Sequence, residues 1–227
     1  CVDGSRKLIK WCLNNKLPIK KVGKLLIPLN ERDNSRMKSI FKNAKKNGCN
    51  VEIIDFKKAS SIQEGLIFSE KYLWSPNTSI CSPSHVMESF FEYLLNKGVN
   101  FKLGEIVNID LDKKKMYLKD KTVIKFEMFL NCAGSGALNI AKKVTSRFDH
   151  LKTIPILGQY GVQTKGIKIK TNIYPVPDPK LPFLGIHLTP TTDGNILIGP
   201  NAVPSFKEDA QGFTEDDFKN LLNRVNL

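Results

Sequence analysis

The chain is short of the residue patterns that announce metals, staples and membrane spans. Its five cysteines, Cys1, Cys12, Cys49, Cys81 and Cys132, are odd in number, and no two form a C-x-x-C pair. That speaks against a zinc site and against a disulfide framework, so no metal is expected and reduced, mostly buried thiols are. No apolar run approaches the length needed to span a bilayer, so no integral membrane segment is expected. The opening CVDGSRKLIKWC has neither the apolar stretch nor the small-residue cleavage site of a secretory leader. G-x-S-x-G, a P-loop lysine motif and H-E-x-x-H are all missing, which removes the signatures of serine hydrolases, Walker-type NTPases and zincins. Arginine is scarce as well. Only Arg6, Arg32, Arg36, Arg147 and Arg224 occur among 35 basic residues, and the lysines are spread along the whole chain. A net charge of +13 carried this way lacks the clustered, Arg-rich footprint of a nucleic-acid surface, and no nucleic-acid partner is expected.

What is present is a mixed pattern. Of the 227 residues, 41% are hydrophobic and 25% charged, ordinary values for a globular chain able to bury a sizeable core. Helical spacing marks residues 3–15, Asn30 to Asn47 and 83–97, the last opened by Ser82-Pro83. VGKLLIPL (22–29) and VEII (51–54) read as strands, and Asp55 can cap the segment after the second of them. A β-rich stretch, NFKLGEIVNIDL then MYLKD then TVIKFEMFLN, is broken by Asp112-Lys113-Lys114-Lys115 and predicts a meander. Residues 135–146 read as a helix. IPILGQYGVQT, NIYPV, FLGIHLT and ILIGPN come next as strands, with Asp193-Gly194 a hairpin signal between the last two. Thr214 and Asp217 form a capping box for a final helix. The interleaving predicts an α+β (α/β) chain with a large antiparallel component.

Two stretches can carry chemistry. FEMFLNCAGSGALNIAKKV (126–144) is a strand, a Gly-rich turn and a helix. Gly134 and Gly136 permit close backbone approach, and the helix start favours a negative group. Asn139 stands in place of a third glycine, so the fingerprint is partial, and a plain tight turn fits it equally well. NIYPVPDPKLPFLGIHLTPTTDGNILIGPN (172–201) holds six prolines from Pro175 to Pro200. A stiff loop with a hairpin after it makes a rim that holds polar groups in place. Its polar side chains include Tyr174, Asp178, His187, Thr189 and Asn201. His187 lies in an apolar run, where it is either a satisfied core histidine or a proton acceptor. His85 and His150 sit near element ends and read as surface residues.

The string IYPVPDPKLPFLGIHLTPTTDGNILIGPNAV closely resembles the signature of the L-2-hydroxyglutarate oxidase/dehydrogenase family, which belongs to the D-amino-acid-oxidase-like flavoproteins. CVDGSRKLIKWC, VGKLLIP, LWSPNTSI, FLNCAGSGA and PILGQYGV resemble further family segments, in the same order. The resemblance implies a D-amino-acid-oxidase-like FAD-dependent oxidoreductase fold, with a mixed-sheet substrate domain bearing helices on one face and part of the FAD domain. It implies FAD as cofactor, with Ile106, Asn131, Cys132, Ala133 and Gly134 near it. It implies His187 and Tyr174 as catalytic residues, and Gln159, Tyr160, Thr189 and Asn201 as substrate-binding residues. Leu157, Gly161 and Ser82 stand where the family has Arg, Tyr and Asp.

The family's N-terminal G-x-G-x-x-G unit and its C-terminal segment have no counterpart here, and residue 1 is Cys, so an internal piece of a longer enzyme is expected. Residues 1–15 are expected as an FAD-domain-associated helix and 16–99 as the first part of the substrate domain with a connecting helix. Residues 100–150 are expected as FAD-domain meander and NCAG turn, 151–213 as the second part of the substrate domain, and 214–227 as a cut-off helix. The implied reaction is oxidation of a 2-hydroxyacid, L-2-hydroxyglutarate to 2-oxoglutarate, with oxygen or a membrane quinone as final acceptor. An amine oxidase of glycine or sarcosine type and a non-catalytic dicarboxylate-binding module are the alternatives. A cytoplasmic location, or peripheral attachment at the inner membrane, is expected.

Overall fold

Asn30 and Asp55, short polar residues before apolar stretches, set where two of the helices begin. The computed structural model describes residues 1–164, 166, 168–180 and 184–204, and the helix expected at 214–227 lies outside them. The chain divides into two units, Cys1–Leu94 with Leu157–Val203, and Leu95–Ile156.

The first unit opens with α1 (Val2–Asn14), then β1 (Ile19–Lys21) and β2 (Lys24–Ile27). Next comes α2 (Glu31–Lys46), capped by Asn30, whose side chain accepts a bond from the Asp33 N–H. That satisfies one of the donors a helix start leaves open. β3 (Glu52–Ile54) leads into α3 (Phe56–Ile62), whose cap Asp55 accepts from the Lys58 N–H at 2.8 Å. Asp55→Ala is expected to destabilise the protein by about 1 kcal/mol in urea unfolding, the usual worth of such a cap. An unchanged midpoint would mean that packing alone holds α3. β4 (Tyr72–Ser75), β5 (Ser79–Cys81) and α4 (Pro83–Asn96) complete this stretch. α1 packs on α4 through Trp11, whose Nε1 donates to Ser89 Oγ at 2.8 Å and whose ring lies 4.8 Å from that of Phe90.

The second unit holds the expected meander. β6 (Ile106–Asp110), β7 (Lys115–Leu118) and β8 (Val123–Lys125) form an antiparallel three-stranded sheet. The Asp110 carboxylate accepts from the Lys113 N–H at 2.8 Å and ties the first turn. TVIKFEMFLN reads as one strand in the sequence, but β8 stops at Lys125. A 3-10 turn (Gly134–Gly136) and α5 (Ala137–Val144) come next, then the short β9 (Ile156–Leu157).

Back in the first unit come β10 (Gly161–Gln163), β11 (Asn172–Pro175), β12 (His187–Pro190), β13 (Ile196–Gly199) and β14 (Val203–Pro204). Seven strands make the main sheet, in the order β10-β13-β12-β11-β2-β4-β3. All its pairs are antiparallel except β11 with β2. Alternation along β2 sends Leu25 and Ile27 to one face and Lys24 and Leu26 to the other. On the first face Leu25, Ile27, Ile54 and Tyr72 pack with Ala59 of α3. On the second, Leu26, Leu73 and Val176 pack with Met37 of α2. Helices thus cover both faces, where the sequence led us to expect one. The short α3 comes directly after β3, and its Ala59, fully buried, is what reaches the opposite side.

Candidate functional site

Strand register assembles the site. Tyr174 lies opposite Leu26, and Asn172 opposite Lys24. His187 lies opposite Gly199, and Thr189 opposite Leu197. Side chains at paired positions share a face, and so do those two apart. Leu26, Tyr174 and His187 therefore form one row on the α2 side of the sheet. Lys24, Asn172 and Thr189 form the next.

Within the first row the Tyr174 and His187 rings stack, with centroids 3.8 Å apart and planes inclined by 12°. Tyr160 stands edge-on to the histidine at 6.3 Å. Gly199 makes room for it. Its φ is +136°, and a Cβ there would come within 2.7 Å of the Gln159 carbonyl and 3.1 Å of the Tyr160 ring. His187 is 7% exposed, and its Nδ1 lies 3.1 Å from the Gly185 carbonyl. A carbonyl only accepts, so in the neutral ring Nδ1 carries the hydrogen and Nε2 the lone pair. Burial pushes the His187 pKa below its ordinary value. The Gly185 carbonyl partly offsets this, and the Lys24 charge adds to it. The phenol of Tyr160 is pushed up, by burial first and by Tyr174 second.

Two other expected residues hold each other. The Gln159 N–H donates to Asn201 Oδ1 at 2.9 Å, and Asn201 Nδ2 donates to Gln159 Oε1 at 2.6 Å. These bonds clamp the link between β9 and β10, which carries Tyr160, to the segment after β13. Thr189 Oγ1 is buried without a hydrogen-bond partner among the described residues. A cavity of about 820 Å³ opens where β2 and β11 end, with Tyr174 and His187 in its wall. Arg36 at the same mouth bridges Asp33 and Asp178, at 3.3 and 3.2 Å.

Lys24 escaped the sequence reading. Its Nζ lies 5.2 Å from the centre of the Tyr174 ring, within cation–π range. Burial lowers its pKa, with the nearby Cys49 acting the other way. The signal was available: a single lysine inside the otherwise apolar VGKLLIPL.

The second unit carries the remaining expected residues. Asn131 Nδ2 donates to the Ala137 carbonyl at 2.9 Å, and its Oδ1 accepts from the Ala133 N–H at 3.3 Å. The side chain thus braces the turn on which exposed Cys132, Ala133 and Gly134 sit. Gly134 has φ +55°, and a Cβ on it would meet nothing within 4 Å, so the approach to this backbone is open. α5 begins at Ala137 with no side-chain cap, and the Ala137 N–H donates to the Gly134 carbonyl of the preceding turn. Ile106 sits on β6 opposite Leu118. Lys143 of α5 reaches the neighbouring Val107 carbonyl at 3.3 Å.

The described residues thus hold a mixed sheet with a histidine–tyrosine stack and, separately, an open glycine turn at a helix start. The profile of the family described as FAD dependent oxidoreductase (DAO) matches residues 3–226, and the chain belongs to that family. It is similar to the "L-2-hydroxyglutarate dehydrogenase, mitochondrial" of Caenorhabditis briggsae, with 33% identity over 99% of this chain and 54% of that protein. The chain spans about half the length of the curated relatives it matches. Among solved structures, L-alpha-glycerophosphate oxidase from Mycoplasma pneumoniae, with FAD bound, shares the fold at TM-score 0.76 and 18% identity, over 92% of this chain and 57% of that one. Glycine oxidase from Geobacillus kaustophilus does so at TM-score 0.77 and 14% identity, over 98% and 60%. Both the resemblance read from the sequence and the D-amino-acid-oxidase-like fold are borne out. No helix of the described residues is long and apolar enough to cross a membrane.

Proposed function

We propose that the whole protein to which this chain belongs oxidises a 2-hydroxyacid to the 2-oxoacid, with L-2-hydroxyglutarate as substrate. The observation that carries this reading is His187: buried, held by its Nδ1 hydrogen, stacked on Tyr174, with a lone pair left on Nε2. Such a nitrogen is suited to take the hydroxyl proton of the substrate. Tyr174 fixes the ring plane, and the Gly185 carbonyl fixes its tautomer. The lowered pKa keeps the ring neutral, and so able to accept, at neutral pH. Tyr160, Thr189, Gln159 and Asn201 shape the surroundings.

FAD supplies the two-electron acceptor for the hydride that leaves Cα. In this reading Asn131, Cys132, Ala133 and Gly134, together with Ile106, would hold it. The similarity to L-2-hydroxyglutarate dehydrogenases supports the choice of substrate. Oxygen or a membrane quinone then takes the electrons. The protein works in the cytoplasm or peripherally at the inner membrane, or in the mitochondrion as the relatives' names have it. Fractionation of cells making the full-length protein separates these locations.

The test is anaerobic titration of the full-length, flavin-loaded protein. L-2-hydroxyglutarate is expected to bleach the flavin absorbance. Bleaching by glycine or sarcosine alone would move the chemistry to amines. Binding of the hydroxyacid without bleaching would leave a non-catalytic module.

A further inference from the structure

Strands β2, β4, β10, β11, β12 and β13 contain, apart from His187, a single charged side chain, Lys24. It sits near the middle of a seven-stranded sheet, not at an edge. It is half-buried, and burial depresses its pKa. A buried ammonium is costly unless an anion meets it. Yet among the described residues no carboxylate pairs with it, although nine other ion pairs form there. Its close companions are the Tyr174 ring, 5.2 Å from Nζ, and the Cys49 thiol, and that ring lies 3.8 Å from His187. Its row on the sheet holds Asn172, whose amide is spent on the Gly23 carbonyl at 2.9 Å, and Thr189, whose hydroxyl has no described partner.

We propose that Lys24 holds a carboxylate of the substrate beside His187. The inference rests on the reading of the site as a 2-hydroxyacid oxidoreductase and adds what that reading lacked, a cation for the acid. A carboxylate bound at Lys24 places the rest of a short hydroxyacid against the Tyr174–His187 stack. There the hydroxyl meets Nε2. Lys24 thereby selects for acids over neutral alcohols.

The test uses the full-length, flavin-loaded protein with Lys24→Met and Lys24→Arg. A hydrogen-bonded charge pair is worth enough that Lys24→Met is expected to raise KM for L-2-hydroxyglutarate about 10- to 100-fold, with kcat nearly unchanged. Lys24→Arg keeps the charge and is expected to restore most of the loss. Glutarate, which has the carboxylates but no hydroxyl, gives a readout independent of turnover. Its affinity by calorimetry is expected to fall by the same factor in Lys24→Met and to return in Lys24→Arg. Unchanged KM and glutarate affinity, or a loss confined to kcat, would overturn the proposal and leave Lys24 acting only through His187. If the wild-type protein turns over no hydroxyacid yet binds glutarate in a Lys24-dependent way, the carboxylate site stands and the reaction reading falls. Normal turnover with Lys24-indifferent glutarate binding gives the reverse. Equal thermal midpoints of wild type and Lys24→Arg show that the fold is intact in the comparison.

Discussion

His187→Ala in the full-length enzyme is expected to lower kcat for L-2-hydroxyglutarate by about two to four orders of magnitude, the usual worth of a positioned general base. The substitution removes the Nε2 lone pair and also half of a ring stack whose centroids lie 3.8 Å apart. His187→Phe keeps the stack and removes only the base, so it separates the two effects. Equal losses in the alanine and phenylalanine variants assign the effect to the proton acceptor. Normal turnover in either removes His187 from catalysis. The acid limb of the pH profile gives a second check. Protonation destroys the acceptor, so kcat/KM is expected to fall as the pH drops through the His187 pKa. Burial sets that pKa below the ordinary histidine value, so activity should persist to lower pH than an exposed histidine would allow. The limb should vanish in the phenylalanine variant.

The second large effect is one of stability. Gly23→Ala is expected to cost about 3 kcal/mol, the sum of overpacking and of forcing a side chain into the left-handed region. Gly23 has φ +74°, and a Cβ there would come 1.9, 2.6 and 2.7 Å from three atoms of the Trp74 ring. An indole is rigid, so the clash cannot be relieved by swinging the end of a flexible chain. The backbone is pinned as well. The Gly23 N–H donates to the Thr78 carbonyl at 2.8 Å, and the Gly23 carbonyl accepts from Asn172 Nδ2 at 2.9 Å. Urea unfolding of the variant checks this, and a midpoint equal to wild type would mean that Trp74 has room to move. Because Lys24 is the next residue, a shift at Gly23 is also expected to raise KM in whatever fraction still folds.

What the sequence disclosed depended on range. α2 was legible to within a residue at each end, because Asn30 and Gly48 are local signals on either side of a clean helical period. The cap at Asp55, the meander and the hairpin at Asp193-Gly194 were legible for the same reason. β4 and β5 were not read as strands, since they are four and three residues long with Ser75-Pro76 between them. α3 has only seven residues, too few for a period to show. His187 and Tyr174 were both singled out, but their stacking was hidden. It arises from two strands laid side by side, with a proline-rich loop between them in sequence. Lys24 was hidden in the same way. It becomes conspicuous only when β2 is seen between β11 and β4, where its neighbours carry no acid.

The parallel pairing of β2 with β11 also fixes an order of events in synthesis. Gly23 and Asn172, joined by a hydrogen bond at the start of these strands, lie 149 positions apart. β2, β3 and β4 therefore leave the ribosome long before the strand that must cover the free edge of β2. The whole Leu95–Ile156 unit is made in between. An unpaired edge carrying Leu25 and Leu26 invites wrong partners while it waits, and closing so long a loop is slow. The nascent chain should thus depend on chaperones until residue 175 has emerged. Truncations ending before it should aggregate, and truncations ending after β13 should not.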